Sequence, residues 1–150
     1  MAREESRRIA TQLDRAVNGP AWHGPSVREA LRGVSAAQAA ARPIRRAHTI
    51  WEIVLHATAW LDIVRQRVEG TPPRVTPAMN WPKSRRPRAG EWRRAVAALR
   101  RTAARLGRTI RSLDDGRLGR HYRALHGVVQ HSIYHAGQIA VLKKGTLVRP

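Results

Sequence analysis

Between Glu91 and Leu113 the apolar residues fall at Trp92, Val96, Leu99, Ala103, Leu106, Ile110 and Leu113, stepping by four and three without a break. That spacing keeps one stripe on one side of an α-helix, and such a stripe must be covered by another element. Arg94, Arg101, Arg105 and Arg108 take the other side, as a solvated face would. The same period recurs in Ala2–Val17 (Ile9, Leu13, Ala16, Val17) and after Thr49 (Ile50, Ile53 or Val54, Ala57, Leu61, Val64, Val68). It recurs once more from about Arg120 to Lys144. No alternating strand pattern appears. Four long amphipathic helices with short turns imply an all-α chain, an antiparallel four-helix bundle forming one domain over residues 1–150.

The breaks follow from local chemistry. Asn18-Gly19-Pro20 ends the first helix, because glycine caps and proline cannot continue. Ser26 and Ser35 are candidate N-caps of two short helical turns, the first running to Leu31 and the second to Ala41. Thr49 with Glu52 three residues on has the form of a capping box, and Gly70 with Pro72 closes that helix. From Thr71 to Gly90 nothing is periodic, and Pro72, Pro73, Pro77, Pro82 and Pro87 forbid a long helix. This long proline-rich loop between the second and third long helices is unusual within a compact domain, where such segments serve as lids or excursions. Trp81 within it favours packing onto the body, over a pocket. Asp114-Asp115-Gly116 breaks the chain before the last helix, which Gly145 ends.

That last helix carries the chemistry. His131 and His135 are four apart, one turn above the other, and share an approximate face with Ala124, Val128, Gln138 and Leu142. Two imidazoles on one helical face can hold a metal ion, but two ligands rarely suffice. His56, near the middle of the second long helix, is the third candidate. Three imidazoles on zinc or nickel leave a position open to water, the arrangement of a catalytic rather than a closed structural site. The pair is not a His-Glu-x-x-His motif, since Ser132, Ile133 and Tyr134 lie between the histidines, and no general base is built in. Glu52, one turn before His56, and Gln138, three after His135, are candidates to orient a ligand or a water. Each also has an ordinary reading, as a cap and as a buried amide. His48 stands at the rim of such a pocket, and Trp22, Trp51, Trp60 and Trp81 are candidates to line it, although core packing accounts for tryptophans equally.

The stretches Trp51-Glu52-Ile53-Val54-Leu55-His56 and Gln130-His131-Ser132-Ile133-Tyr134-His135-Ala136-Gly137-Gln138-Ile139 resemble the DinB-like superfamily, which includes YfiT-type metal-dependent hydrolases. Trp22-His23-Gly24-Pro25-Ser26, Ala47-His48-Thr49-Ile50 and Asn80-Trp81-Pro82 add to the resemblance, which extends over most of the chain. It implies a four-helix bundle with a metal site at His56, His131 and His135, occupied by nickel or zinc. It further implies a hydrolase, or a transferase or isomerase using a low-molecular-weight thiol, acting on a small molecule as a homodimer.

Composition enters as a limit on these readings. Cysteine is absent, which excludes thiolate ligands, cysteine nucleophiles and disulfides. No apolar run approaches about 18 residues and the N-terminus is charged, so neither a membrane span nor a signal peptide is expected, and the location expected is cytoplasmic. The net charge of +19 would ordinarily point to nucleic acid or another polyanion. Yet arginine supplies 26 of the 29 basic residues and is spread over every segment, a pattern of compositional bias rather than of one patch. A basic nucleic-acid-binding protein is therefore the alternative to a metal-dependent enzyme, with a non-catalytic metal-binding bundle as a third reading.

Overall fold

In the computed structural model, which describes residues 2–147, regular structure among the described residues is helical, apart from one isolated bridge between Ala21 and Gly24. The helices are α1 (Ala2–Asn18), α2 (Val27–Leu31), α3 (Ala36–Ala40), α4 (Ile50–Glu69), α5 (Pro77–Asn80), α6 (Ala89–Arg111) and α7 (Asp115–Gly145). Three of them start on reciprocal caps. The hydroxyls of Ser26, Ser35 and Thr49 accept from the backbone N–H of the third helical residue, and Glu29, Gln38 and Glu52 at that position return the bond. Each box satisfies two N–H groups that a helix start leaves without partners. Gly70 ends α4 in the left-handed region at φ 88°, where a side chain would be strained.

The long helices cover one another's stripes. α1 packs on α6 and α7, α4 packs on the same two, α2 lies against α7 and α3 against α4. Ile9, Leu13, Val54, Leu61, Leu99, Leu106, Ile110, Leu125 and Ile139 are all buried in one core. Full burial of an aliphatic side chain of this size stabilises by about 1.5–3 kcal/mol, so this shared interior fixes which way each helix faces. Trp92 is buried with them and its indole N–H donates to Val34 O at 2.7 Å, tying α6 to the turn after α2.

Several boundaries differ from the sequence reading. α7 begins at Asp115, not near Arg120, because Asp114 is an N-cap rather than part of a break: its carboxylate accepts from Arg117 N at 2.8 Å. α7 ends at Gly145, as expected, with Gly145 its last helical residue and Thr146 the C-cap. Glycine is needed there for another reason, since a Cβ would lie 2.8 Å from Pro43 Cβ. α6 starts at Ala89, and Thr71–Gly90 is not wholly irregular. Thr76 accepts from Met79 N and Pro77 opens α5, where its missing N–H is no loss.

The inward face of α7 is also rotated from expectation. Its buried stripe is Leu125, Val128, Val129, Ser132, His135, Ala136, Ile139 and Leu142. Ala124, His131 and Gln138 are only half-buried, on the edge of that stripe. The histidine pair therefore sits where the core meets a surface cavity. Among the described residues no helix is long and apolar enough to cross a membrane.

Candidate metal centre

α4 and α7 pack side by side, and their contact brings His56 to His131 and His135. His131 Nε2 lies 2.9 Å from Nε2 of His56 and 2.9 Å from Nε2 of His135. One ligand atom from each of the three fits within 4.8 Å of the others. His56 and His135 are 6% and 3% exposed, while His131 is half-buried.

Hydrogen bonds on the far side of two rings decide what the near side offers. His56 Nδ1 lies 2.5 Å from Asn80 O, a backbone carbonyl that can only accept, so Nδ1 carries the proton and Nε2 presents a lone pair. Asn80 is the last residue of α5, and its carbonyl is one that the helix itself leaves unpaired. His135 Nδ1 donates in the same way to Gln138 Oε1 at 2.6 Å, while Gln138 Nε2 donates to Tyr134 Oη at 3.1 Å. Two lone pairs thus converge on the third imidazole. Three neutral imidazoles, two of them with outer nitrogens held by carbonyl oxygens, are a donor set that a divalent ion takes. Nitrogens about 2.0–2.1 Å from a common zinc ion would be about 3.3 Å apart, close to the separations found here.

The surroundings keep these rings neutral. Burial pushes His131 down to about 4, helped by the neighbouring His135 and His56. Burial pushes His135 down to about 4 as well, against the opposing effect of its bond to Gln138. Burial also lowers His56, opposed by Asn80 O. An unfolded histidine titrates near about 6.5. Above that pH all three are neutral in both states and add no pH dependence. As pH falls from 6.5 toward 4, the unfolded chain takes up protons that the folded site refuses, so stability falls. Metal-free protein is therefore expected to melt at progressively lower temperature across that window, with His131→Gln flattening the decline; a melting temperature constant from pH 7 to pH 4.5 would contradict the burial of this cluster.

An aromatic wall encloses the site. Trp81 stacks on His56 at 3.8 Å between ring centroids and on His48 at 3.5 Å, both nearly parallel. Trp60 meets His56 edge-on at 6.5 Å and donates its indole N–H to Asn80 Oδ1 at 2.8 Å. Asn80 thus holds His56 through its backbone and Trp60 through its side chain. A cavity of about 370 Å³ opens beside these rings, lined by His56, His131, Trp60 and Trp81 together with Val64, Arg67, Asn80, Ala124, Gly127 and Val128.

The remaining candidates lie elsewhere. Trp22 is fully exposed, in a depression with Gln12, Arg15 and Ile133. Trp51 packs edge-on against Trp92 at 6.1 Å, behind the site rather than in the cavity. Glu52 bonds Thr49 N at 2.8 Å, Arg42 at 2.9 Å and His48 Nδ1 at 3.3 Å, at the start of α4. Burial raises its carboxyl, but the Thr49 N–H and Arg42 outweigh that and hold it below the usual range. His48 is exposed, and it stacks on Trp81, which stacks on His56 in turn. Asn80 stands in the sequence only as part of Asn80-Trp81-Pro82 and not as a site residue, because it holds His56 through a backbone carbonyl, which carries no side-chain signal. Arg67 did leave a signal: it stands eleven residues after His56, three helical turns on, along the line His56–Trp60–Val64.

Fold and cluster together define an all-helical protein with three largely buried histidines able to hold a divalent metal ion. Within that class the chain belongs to the DinB superfamily, whose family model matches residues 22–139 and so spans all three histidines and Gln138. No curated protein and no solved structure matches the chain.

Proposed function

We propose that this protein is a metal-dependent enzyme, a hydrolase or a low-molecular-weight-thiol S-transferase, in which His56, His131 and His135 hold a zinc or nickel ion. The observation that carries the reading is the convergence of three Nε2 atoms, two of them with their tautomer fixed by Asn80 O and Gln138 Oε1. The family assignment supports it. So does the stacking of Trp81, from the segment between α4 and α6, on His56. An antiparallel four-helix bundle in one domain is the proposed arrangement of the four long helices. A bound ion would supply Lewis acidity toward water or a thiol. The chain's own residues hold the site in place: Asn80 and Gln138 orient imidazoles, and Trp81 covers His56. Trp60 walls a cavity of a size suited to a small molecule. A homodimer belongs to the same proposal.

Metal analysis of protein purified without a histidine tag tests it, with about one ion per chain expected for three converging imidazoles. Less than about a tenth of an ion per chain, after exposure to zinc and nickel in turn, would sink the reading. A second reading is favoured by one observation. Arg94, Arg101, Arg105 and Arg108 are exposed on α6 with no carboxylate partner among the described residues, a surface that suits a polyanion. Metal retention without DNA retardation at low salt leaves the first reading alone.

A further inference from the structure

Among the described residues that line the cavity beside the histidines, Arg67 is the one cation. Its guanidinium carbon lies 5.6 Å from the Trp60 ring centroid, and the same ring lies 6.0 Å from that of His131. The side chain therefore folds back along α4 toward the histidine cluster, the direction in which helical side chains lean. It is half-buried, and among the described residues its guanidinium has neither a hydrogen-bond acceptor nor a carboxylate within ion-pair reach. Arg65, two positions earlier, shows the contrast: it takes both nearby acids, Asp62 at 2.7 Å and Glu69. An arginine near the end of a helix can serve the helix dipole from solvent. Arg67 instead lies over an indole and faces the cavity, with its planar set of donors free.

We propose that Arg67 anchors a carboxylate of the small molecule bound in this cavity. Its planar fork matches a carboxylate with two parallel hydrogen bonds. Val64, Ala124 and Val128 offer apolar wall between this anchor and the histidines, so the ligand is an organic acid with an apolar body. The cavity is far too small for a folded partner. Trp60 holds the cation in place from its other face, which limits the entropy lost when the acid binds. That the acid is a substrate rests on the metal-enzyme reading; that Arg67 binds it does not.

The test is a tryptophan-fluorescence titration with benzoate, and with benzamide as its neutral counterpart, on metal-loaded and chelator-treated protein. Saturable benzoate binding is expected in both forms. Arg67→Met should weaken it by about tenfold to hundredfold, the scale of a hydrogen bond to a charged group. Arg67→Lys should weaken it less, and benzamide should be indifferent to either change. Equal benzoate affinity in wild type and Arg67→Met, or no saturable benzoate binding in wild type, overturns the proposal. Arg67-dependent binding in a protein that retains no metal would leave the anchor standing and remove the metal-enzyme reading. Benzoate binding that vanishes with the metal and ignores Arg67 would do the reverse.

Discussion

His56→Ala is expected to release the metal while the protein stays folded. The imidazole is one of three that converge, and it alone comes from α4, so its loss leaves two ligands on a single helix. Perturbing a group behind a ligand costs about 10–100-fold in affinity, and removing the ligand itself should cost more. The fold should tolerate the change because the ring borders a cavity rather than the middle of the core, and because its removal eliminates a buried group that must stay neutral. His131→Ala and His135→Ala should act alike, although His135 is the more buried and its truncation should lower the melting temperature further. Metal content after dialysis against a chelator, with circular dichroism as the check on folding, reads the result. Undiminished metal in His56→Ala would place the ion elsewhere.

How much of this was legible beforehand depends on whether the signal lay in side chains or in backbone. The stripes of α1, α4 and α6 could be read directly, since an amphipathic helix repeats its instruction every turn. The reciprocal caps at Ser26 and Thr49 could be read for a related reason, that two side chains at fixed spacing each name the other. The start of α7 could not. Asp114-Asp115-Gly116 has turn composition, and only the fold shows that one aspartate caps while the next two residues are already helical. Three histidines were legible as a set, because inward imidazoles on two helices have few uses. The choice among tryptophans was not legible. Trp22, Trp51, Trp60 and Trp81 look equivalent in sequence, but Trp60 and Trp81 reach the cavity while Trp22 stands in solvent and Trp51 lies against Trp92. Periodicity gives a face to within a quarter-turn or so, which is the difference between facing the core and facing a cavity at its edge. The same uncertainty put Gln138 and His131 inside, where the structure has them half-buried.

Gln138→Leu against Glu52→Gln separates a residue that orients a ligand from one that holds a helix. Both were candidates on spacing alone, each about one turn from a histidine. Gln138 Oε1 accepts the Nδ1 proton of His135 at 2.6 Å, which fixes both the tautomer and the ring. Leucine keeps most of the volume and removes the acceptor. The Nδ1–H then loses its partner, the other tautomer becomes accessible, and Nε2 no longer always presents a lone pair. Metal affinity should fall by about 10–100-fold with little change in thermal stability, since residue 138 is half-buried and outside the core stripe. Glu52 has no contact with the three histidines; its oxygens bond Thr49 N, Arg42 and His48. Glu52→Gln weakens the charge at the start of α4 and its pair with Arg42, so it should cost about 0.5–1 kcal/mol of stability and leave metal affinity alone. Competition with a chromophoric chelator measures the first effect and a thermal melt the second. Metal affinity equal to wild type in Gln138→Leu would reduce that residue to a packing amide, and a large loss in Glu52→Gln would mean that the start of α4, through His48 and Trp81, is coupled to the site.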